Sequence, residues 1–137
     1  MPGVLIADDD GSIRLLVRAC IGSEGYDVLE AADGDRAWEL LRQHGPSVAL
    51  LDVQMPGRSG LELTRAIRAD PGLRPTRVIL LTANARPEDV AAGLAGADLY
   101  LTKPFSPLEL CGAVEAALGP GPLPADLSHG LGAGRTR

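Results

Sequence analysis

Along this chain, short apolar runs of Val, Leu and Ile alternate five times with longer stretches whose apolar residues recur at helical spacing. A short run bounded by acids or turn residues suits a buried strand, whereas positions i, i+3, i+4 and i+7 share one helix face. The pattern predicts strands at Val4 to Asp8, Asp27 to Ala31, Val48 to Asp52, Val78 to Thr82 and Leu99 to Thr102. Between the first two, Ile13, Leu16, Val17, Cys20 and Ile21 form one apolar helix stripe. A second helix turns Ala37, Leu40 and Leu41 inward.

Two helix starts are legible from side-chain chemistry. Ser59 followed by Glu62 makes a capping box, in which each side chain satisfies a backbone amide that the helix leaves unpaired. Ser106, Pro107 and Glu109 give the same signature with proline at the first helical position, ahead of Leu110, Cys111, Val114, Ala117 and Leu118. A helix from Pro87 to about Gly96 is written weakly, in alanine and glycine around Val90 and Leu94, which suits a mobile element or merely loose packing.

Strands alternating with helices imply an α/β domain with a parallel sheet, because parallel strands need crossover connections that place helices on both faces. Binding sites in such sheets lie at the carboxyl ends of the strands. The expected domain covers residues 1–118. Residues 119–137, rich in Gly and Pro and without periodicity, read as a flexible tail or a cut linker.

Composition narrows the function. With 137 residues and 45% hydrophobic content, the chain suits one domain with a substantial core. A net charge of -5 argues against a nucleic-acid surface. No apolar stretch approaches the roughly 18 residues of a membrane span, and the start lacks a signal-peptide pattern, so a soluble cytoplasmic protein is expected. Cys20 and Cys111 lie in helical apolar patterns without CxxC spacing, and buried thiols are preferred over a disulfide or a metal role.

The chemistry sits where strands end. The first strand runs into Asp8, Asp9 and Asp10, and the third into Asp52. Two unit charges about 4 Å apart repel by roughly 4 kcal/mol at an effective dielectric near 20, so convergent carboxylates demand positive charge. All-oxygen ligands point to a hard divalent cation, magnesium foremost and manganese as an alternative. Lys103, after the fifth strand, is the only lysine in a chain with twelve arginines. Its compact ammonium suits an anion that changes during a reaction better than a planar guanidinium fork does. Thr82 ends the fourth strand with a hydroxyl on the same rim.

ADDD, LLDVQMPGRSGLEL, LLTAN and YLTKPFSPLEL, in that order and spacing, resemble a response regulator receiver domain over about residues 4 to 118. The resemblance implies a doubly wound, flavodoxin-like sheet of order 2-1-3-4-5. It implies a two-component or phosphorelay switch in which Asp52 accepts a phosphoryl group from a histidine kinase, a phosphotransfer protein or a small phosphodonor. Asp8 and Asp9 resemble the acidic pair that holds magnesium, with Asp52 and the Gln54 backbone carbonyl, while Asp10 is assigned to capping the first helix. Lys103 resembles the lysine that pairs with phosphoryl oxygens, its bond to Pro104 expected cis. Thr82 and Tyr100 resemble switch residues, and Gln54 and Asn84 the positions that tune phosphoryl lifetime. His44 and His129 read as surface residues.

The implied output face is built from the helix after the fourth strand, the fifth strand and the last helix, and it could also serve a dimer. A stand-alone receiver acting on a downstream protein is favoured over the receiver part of a longer transcriptional or enzymatic regulator. The rival from another class, a magnesium-dependent phosphatase of the haloacid dehalogenase type, resembles DxD at its nucleophile strand. Here that stretch reads Asp52, Val53, Gln54, and no cap domain is evident.

Overall fold

The computed structural model describes residues 3–21, 25–83 and 96–119. Five parallel strands, β1 (Gly3–Ala7), β2 (Asp27–Ala31), β3 (Val48–Asp52), β4 (Arg77–Thr82) and β5 (Leu99–Thr102), form one sheet in the order β2-β1-β3-β4-β5. This is the expected flavodoxin-like arrangement, and the strand limits differ from the sequence reading only by a residue or so in β1 and β4.

Four helices are described: α1 (Gly11–Ile21), α2 (Gly34–His44), α3 (Gly60–Ala69) and α4 (Pro107–Leu118). The helix expected from Pro87 onward falls mainly in residues 84–95, outside the described residues, as does the expected tail beyond Gly119. Both capping boxes are present, Ser59 with Glu62 and Ser106 with Glu109. Among the described residues, no helix is long and apolar enough to cross a membrane.

Side-chain alternation along the strands divides the core in two. Val4, Ile6, Val48, Leu50, Ile79, Leu81, Leu99 and Leu101 pack with α1 and α4. Leu5, Ala7, Ala49, Leu51, Val78, Leu80 and Tyr100 pack with α2 and α3 on the opposite face. Carried past the strand ends, the first alternation brings Asp8, Asp52 and Lys103 to one side of the rim. Thr82 and Tyr100 belong to the other register: Thr82 lies two residues beyond Leu80, and Tyr100 is the cross-strand partner of Leu80.

The cysteine expectation needs correction. Cys20 and Cys111 are joined in a disulfide that links α1 to α4 across 91 residues of sequence. Periodicity placed each thiol beside its helix's apolar stripe, but it carries no information that the two stripes pack against each other. Local spacing rules therefore missed a pair created by tertiary contact.

Candidate functional site

The register pairs Ala7 with Leu51, so the residues that follow, Asp8 and Asp52, emerge side by side. Asp8 is fully buried and Asp52 is 6% exposed. Lys103 reaches across from the end of β5, its Nζ 2.9 Å from Asp8 Oδ2 and 3.2 Å from Asp52 Oδ2. Asp9 is exposed, yet carboxylate oxygens of Asp8, Asp9 and Asp52 lie within 4.8 Å of one another, close enough to hold one metal ion. Three carboxylates against one ammonium leave a local deficit of two positive charges, which matches a divalent cation with oxygen ligands.

The second oxygens of the buried acids are also engaged. Asp8 Oδ1 accepts from the Asp10 amide at 2.9 Å, and Asp52 Oδ1 accepts from the Gln54 amide at 3.1 Å. Asp10 immediately precedes α1 and accepts from the Ser12 amide and hydroxyl, as expected of a cap. The Ser12 bonds hold the Asp10 carboxyl below its usual range.

Burial pushes the Asp52 carboxyl above the usual carboxylate range; the Gln54 amide opposes that rise, the Asp8 charge adds to it, and Lys103 pulls it down, leaving a net increase. For Lys103 burial opposes the charged form, but the hydrogen bond it donates to Asp8 and the charges of both carboxylates prevail and raise it. The ammonium therefore stays protonated, and the surplus negative charge is felt at Asp52.

Thr82 ends β4 half-buried, and its carbonyl accepts from the Lys103 amide at 2.7 Å, which ties the lysine loop to the strand that carries the hydroxyl. The Lys103–Pro104 bond is cis. Tyr100 is 8% exposed and lies in the core on the α2 and α3 side. Gln54 is exposed beside Asp52, His44 is exposed, and Asn84 and His129 lie outside the described residues.

Two residues that the sequence reading passed over frame the site. Arg14 donates from Nη1 to the Asp8 carbonyl at 2.7 Å and from Nε to Glu30 at 3.2 Å, bracing the turn that carries the acids. Gly60 opens α3 directly beneath Asp52: a Cβ there would lie 2.5 Å from the Asp52 carbonyl oxygen. The only signal for either was position, an arginine one turn into α1 and a glycine after a capping serine.

A sequence profile described as "Response regulator receiver domain" matches residues 4–115. The DNA-binding response regulator MtrA of Mycobacterium tuberculosis (strain ATCC 25618 / H37Rv) is 38% identical over 116 residues, covering 84% of this chain and 50% of the relative. The phosphate regulon transcriptional regulatory protein PhoB of Pseudomonas aeruginosa is 37% identical over 131 residues, 93% of this chain and 57% of the relative. The chain thus spans about half the length of these relatives. Among solved structures, the chemotaxis response regulator CheY4 of Vibrio cholerae superposes with a TM-score of 0.79 at 35% identity, covering 86% of this chain and 99% of that one.

Proposed function

The chain belongs to the response regulator receiver family, a phosphoacceptor signalling module, and from that premise we propose that Asp52 is the residue that accepts the phosphoryl group in this phosphorylation-dependent switch. The observation that carries the reading is the single ammonium of Lys103 shared between the buried carboxylates of Asp8 and Asp52. A carboxylate attacks phosphorus only where charge on the transferring group is neutralised, and the transfer is mostly positioning and electrostatics.

The all-oxygen set of Asp8, Asp9 and Asp52, with the backbone carbonyl of Gln54, suits magnesium, with manganese as the alternative. Magnesium would supply charge neutralisation for the phosphoryl oxygens. An Asp52 oxygen forms the new bond to phosphorus as the bond to the donor's nitrogen or oxygen breaks. Lys103 moves its hydrogen bond from the Asp52 carboxylate to a phosphoryl oxygen. Its three rotatable donors make that exchange easy where a fixed guanidinium fork would resist it.

The Thr82 hydroxyl then turns toward the new anion, and Tyr100 follows into the space vacated on the same side of the sheet. A charge-assisted hydrogen bond contributes about 1.5 to 3 kcal/mol, against roughly 5.5 kcal/mol needed to move an equilibrium from 1:99 to 99:1. Phosphorylation alone therefore gives a partial population shift, completed by Lys103 and by a partner that prefers the active form. Gln54 and Asn84 tune phosphoryl lifetime, and the protein catalyses only its own phosphorylation and dephosphorylation.

The domain ends near Leu118, works in the cytoplasm, receives phosphoryl groups from a histidine kinase or phosphotransfer protein, and signals through β5, α4 and the segment before β5. We favour a receiver acting alone through protein contacts. The half-length match to MtrA supports the alternative, a receiver within a longer regulator. The size of the native protein in cell extract separates these two.

The chemical test is intact-mass spectrometry after incubation with magnesium and a small phosphodonor. A single hydroxylamine-labile adduct is expected in the wild type and in neither Asp52→Asn nor a magnesium-free control. An adduct that persists in Asp52→Asn would overturn the assignment.

A further inference from the structure

Cys20 precedes the last residue of α1, and Cys111 lies in the second turn of α4. Both are half-buried, and beneath them the two helices already pack through Val17, Ile21, Leu110 and Val114. The bridge thus staples the edge of a seam that apolar contact closes without it. Cys20 also lines an open cleft of about 200 Å³ together with Tyr26, Glu115 and Leu118, which leaves space for a small thiol to approach that residue.

The two half-cystines differ in access. Cys20 borders the cleft lined by Tyr26, Glu115 and Leu118, whereas Cys111 is not among the described residues that line it. Attack at Cys20 with Cys111 departing is therefore the direction of exchange that access favours. In a reducing compartment such bridges are transient and redox-sensing more often than permanent.

We propose that Cys20–Cys111 is a reversible thiol–disulfide exchange site, opened by a dithiol and closed by a disulfide oxidant, that governs how freely α4 moves against α1. One thiolate of the dithiol attacks Cys20 Sγ, the bridge breaks, and Cys111 leaves and takes up a proton. The dithiol's second thiolate then attacks the mixed disulfide, and Cys20 is released and protonated. The dithiol supplies both electrons and ends as a disulfide; a disulfide oxidant reverses the sequence.

The location gives the exchange a consequence. α1 begins directly after Asp8, Asp9 and Asp10, with Arg14 holding the Asp8 carbonyl, and α4 begins shortly after Lys103. The bridge ties together the helices that descend from the two sides of the charged site. That oxidation also restrains signalling rests on the receiver reading, in which α4 contributes to the output face.

The test uses the full chain purified without reductant, alkylated under denaturing conditions and weighed intact, before and after treatment with dithiothreitol. The oxidised protein should take up no alkyl group and the reduced protein two, with reoxidation by glutathione disulfide restoring the first state. Hydrogen exchange in α4 and the last turn of α1 should speed up about tenfold on reduction, and equally in the Cys20→Ser/Cys111→Ser variant, with sheet exchange unchanged. Two free thiols in the oxidised preparation, identical α4 exchange in both forms, or faster exchange throughout the sheet would each overturn the proposal. Failure of Asp52 to accept a phosphoryl group would instead strike the receiver reading and leave the thiol result standing.

Discussion

Lys103 Nζ stands 3.2 Å from Asp52 Oδ2 and 2.9 Å from Asp8 Oδ2, so one cation serves two buried anions. Removing it leaves two carboxylates facing each other away from water. The Lys103 side chain is 24% exposed, which softens the penalty relative to a fully buried pair. Lys103→Ala should therefore lose about 1–3 kcal/mol of stability at neutral pH in metal-free buffer. Urea titrations with and without magnesium check this, and magnesium should restore part of the loss. A variant as stable as wild type in metal-free buffer would refute the shared-cation account.

Asp52 gives a stability change of the opposite sense, and one that depends on pH. Its carboxyl is raised by burial, with the Asp8 charge adding to the rise. The folded state therefore holds the proton more tightly than the unfolded chain, so the stability it contributes is present when protonated and is lost as pH rises through the raised value. Asp52→Asn removes that loss. It should be more stable than wild type at pH 7 by about 1 kcal/mol, a few degrees in Tm. The difference should shrink as pH falls toward the ordinary carboxylate range near 4. Thermal melts across pH measure it, and a pH-independent difference would remove the electrostatic explanation.

Gly60→Ala tests the close approach of α3 to β3. The added carbon would stand 2.5 Å from the Asp52 carbonyl oxygen and 3.2 Å from that of Leu51, both backbone atoms that cannot swing aside. A stability loss of about 1–3 kcal/mol is expected, the range for overpacking a fixed site. Phosphorylation of Asp52 should slow as well, since relief of the clash moves the backbone that carries the carboxylate. Denaturation and adduct-formation rates, measured together, separate the two effects. Unchanged stability would mean that α3 is free to retreat.

The sequence made some of this legible and hid the rest for a physical reason. Strand limits and both capping boxes are local, encoded within a few residues by apolar runs and by Ser-to-Glu spacing. The charged site was legible because each of its residues follows a readable strand. What stayed hidden depends on packing rather than spacing: the Cys20–Cys111 bridge joins segments 91 residues apart, while the brace from Arg14 to Asp8 and the Gly60 contact with Asp52 arise only once a helix folds back against the strand before it. A glycine after a capping serine looks like ordinary helix entry until the neighbouring strand is in place.

Trp38, the sole tryptophan, should report on the loop that follows Asp52. The Arg58 guanidinium stacks over its ring at 5.3 Å, and the Gly34 amide donates to the Pro56 carbonyl at 2.8 Å, clamping that loop against α2. Under the proposed chemistry, a shift of Gln54 on magnesium binding or phosphorylation would pull on Arg58, four residues on in the same loop. The emission of Trp38 should change on adding magnesium, and again on phosphorylation. Arg58→Ala should blunt both responses, and Asp52→Asn should abolish the second. A flat titration in the wild type would show that the loop is rigid.

Arg68 provides the last test, because its guanidinium gathers the far ends of the two strands that lead to Thr82 and Lys103. It donates to the carbonyls of Arg74 and Thr76 at 2.8 Å each, to the Gly96 carbonyl, and to Asp98 Oδ2 at 2.7 Å. The same Asp98 oxygen accepts from the Val78 amide at 2.8 Å, so one carboxylate joins β4, the entry to β5 and α3. Arg68→Ala strands several acceptors at once and should cost about 2–4 kcal/mol. Arg68→Lys keeps the charge but offers three donors from one nitrogen, which cannot reach groups spread around a planar fork. It should recover less than half of the loss in urea denaturation. Full recovery by lysine would show that charge on Asp98 matters and the fork does not.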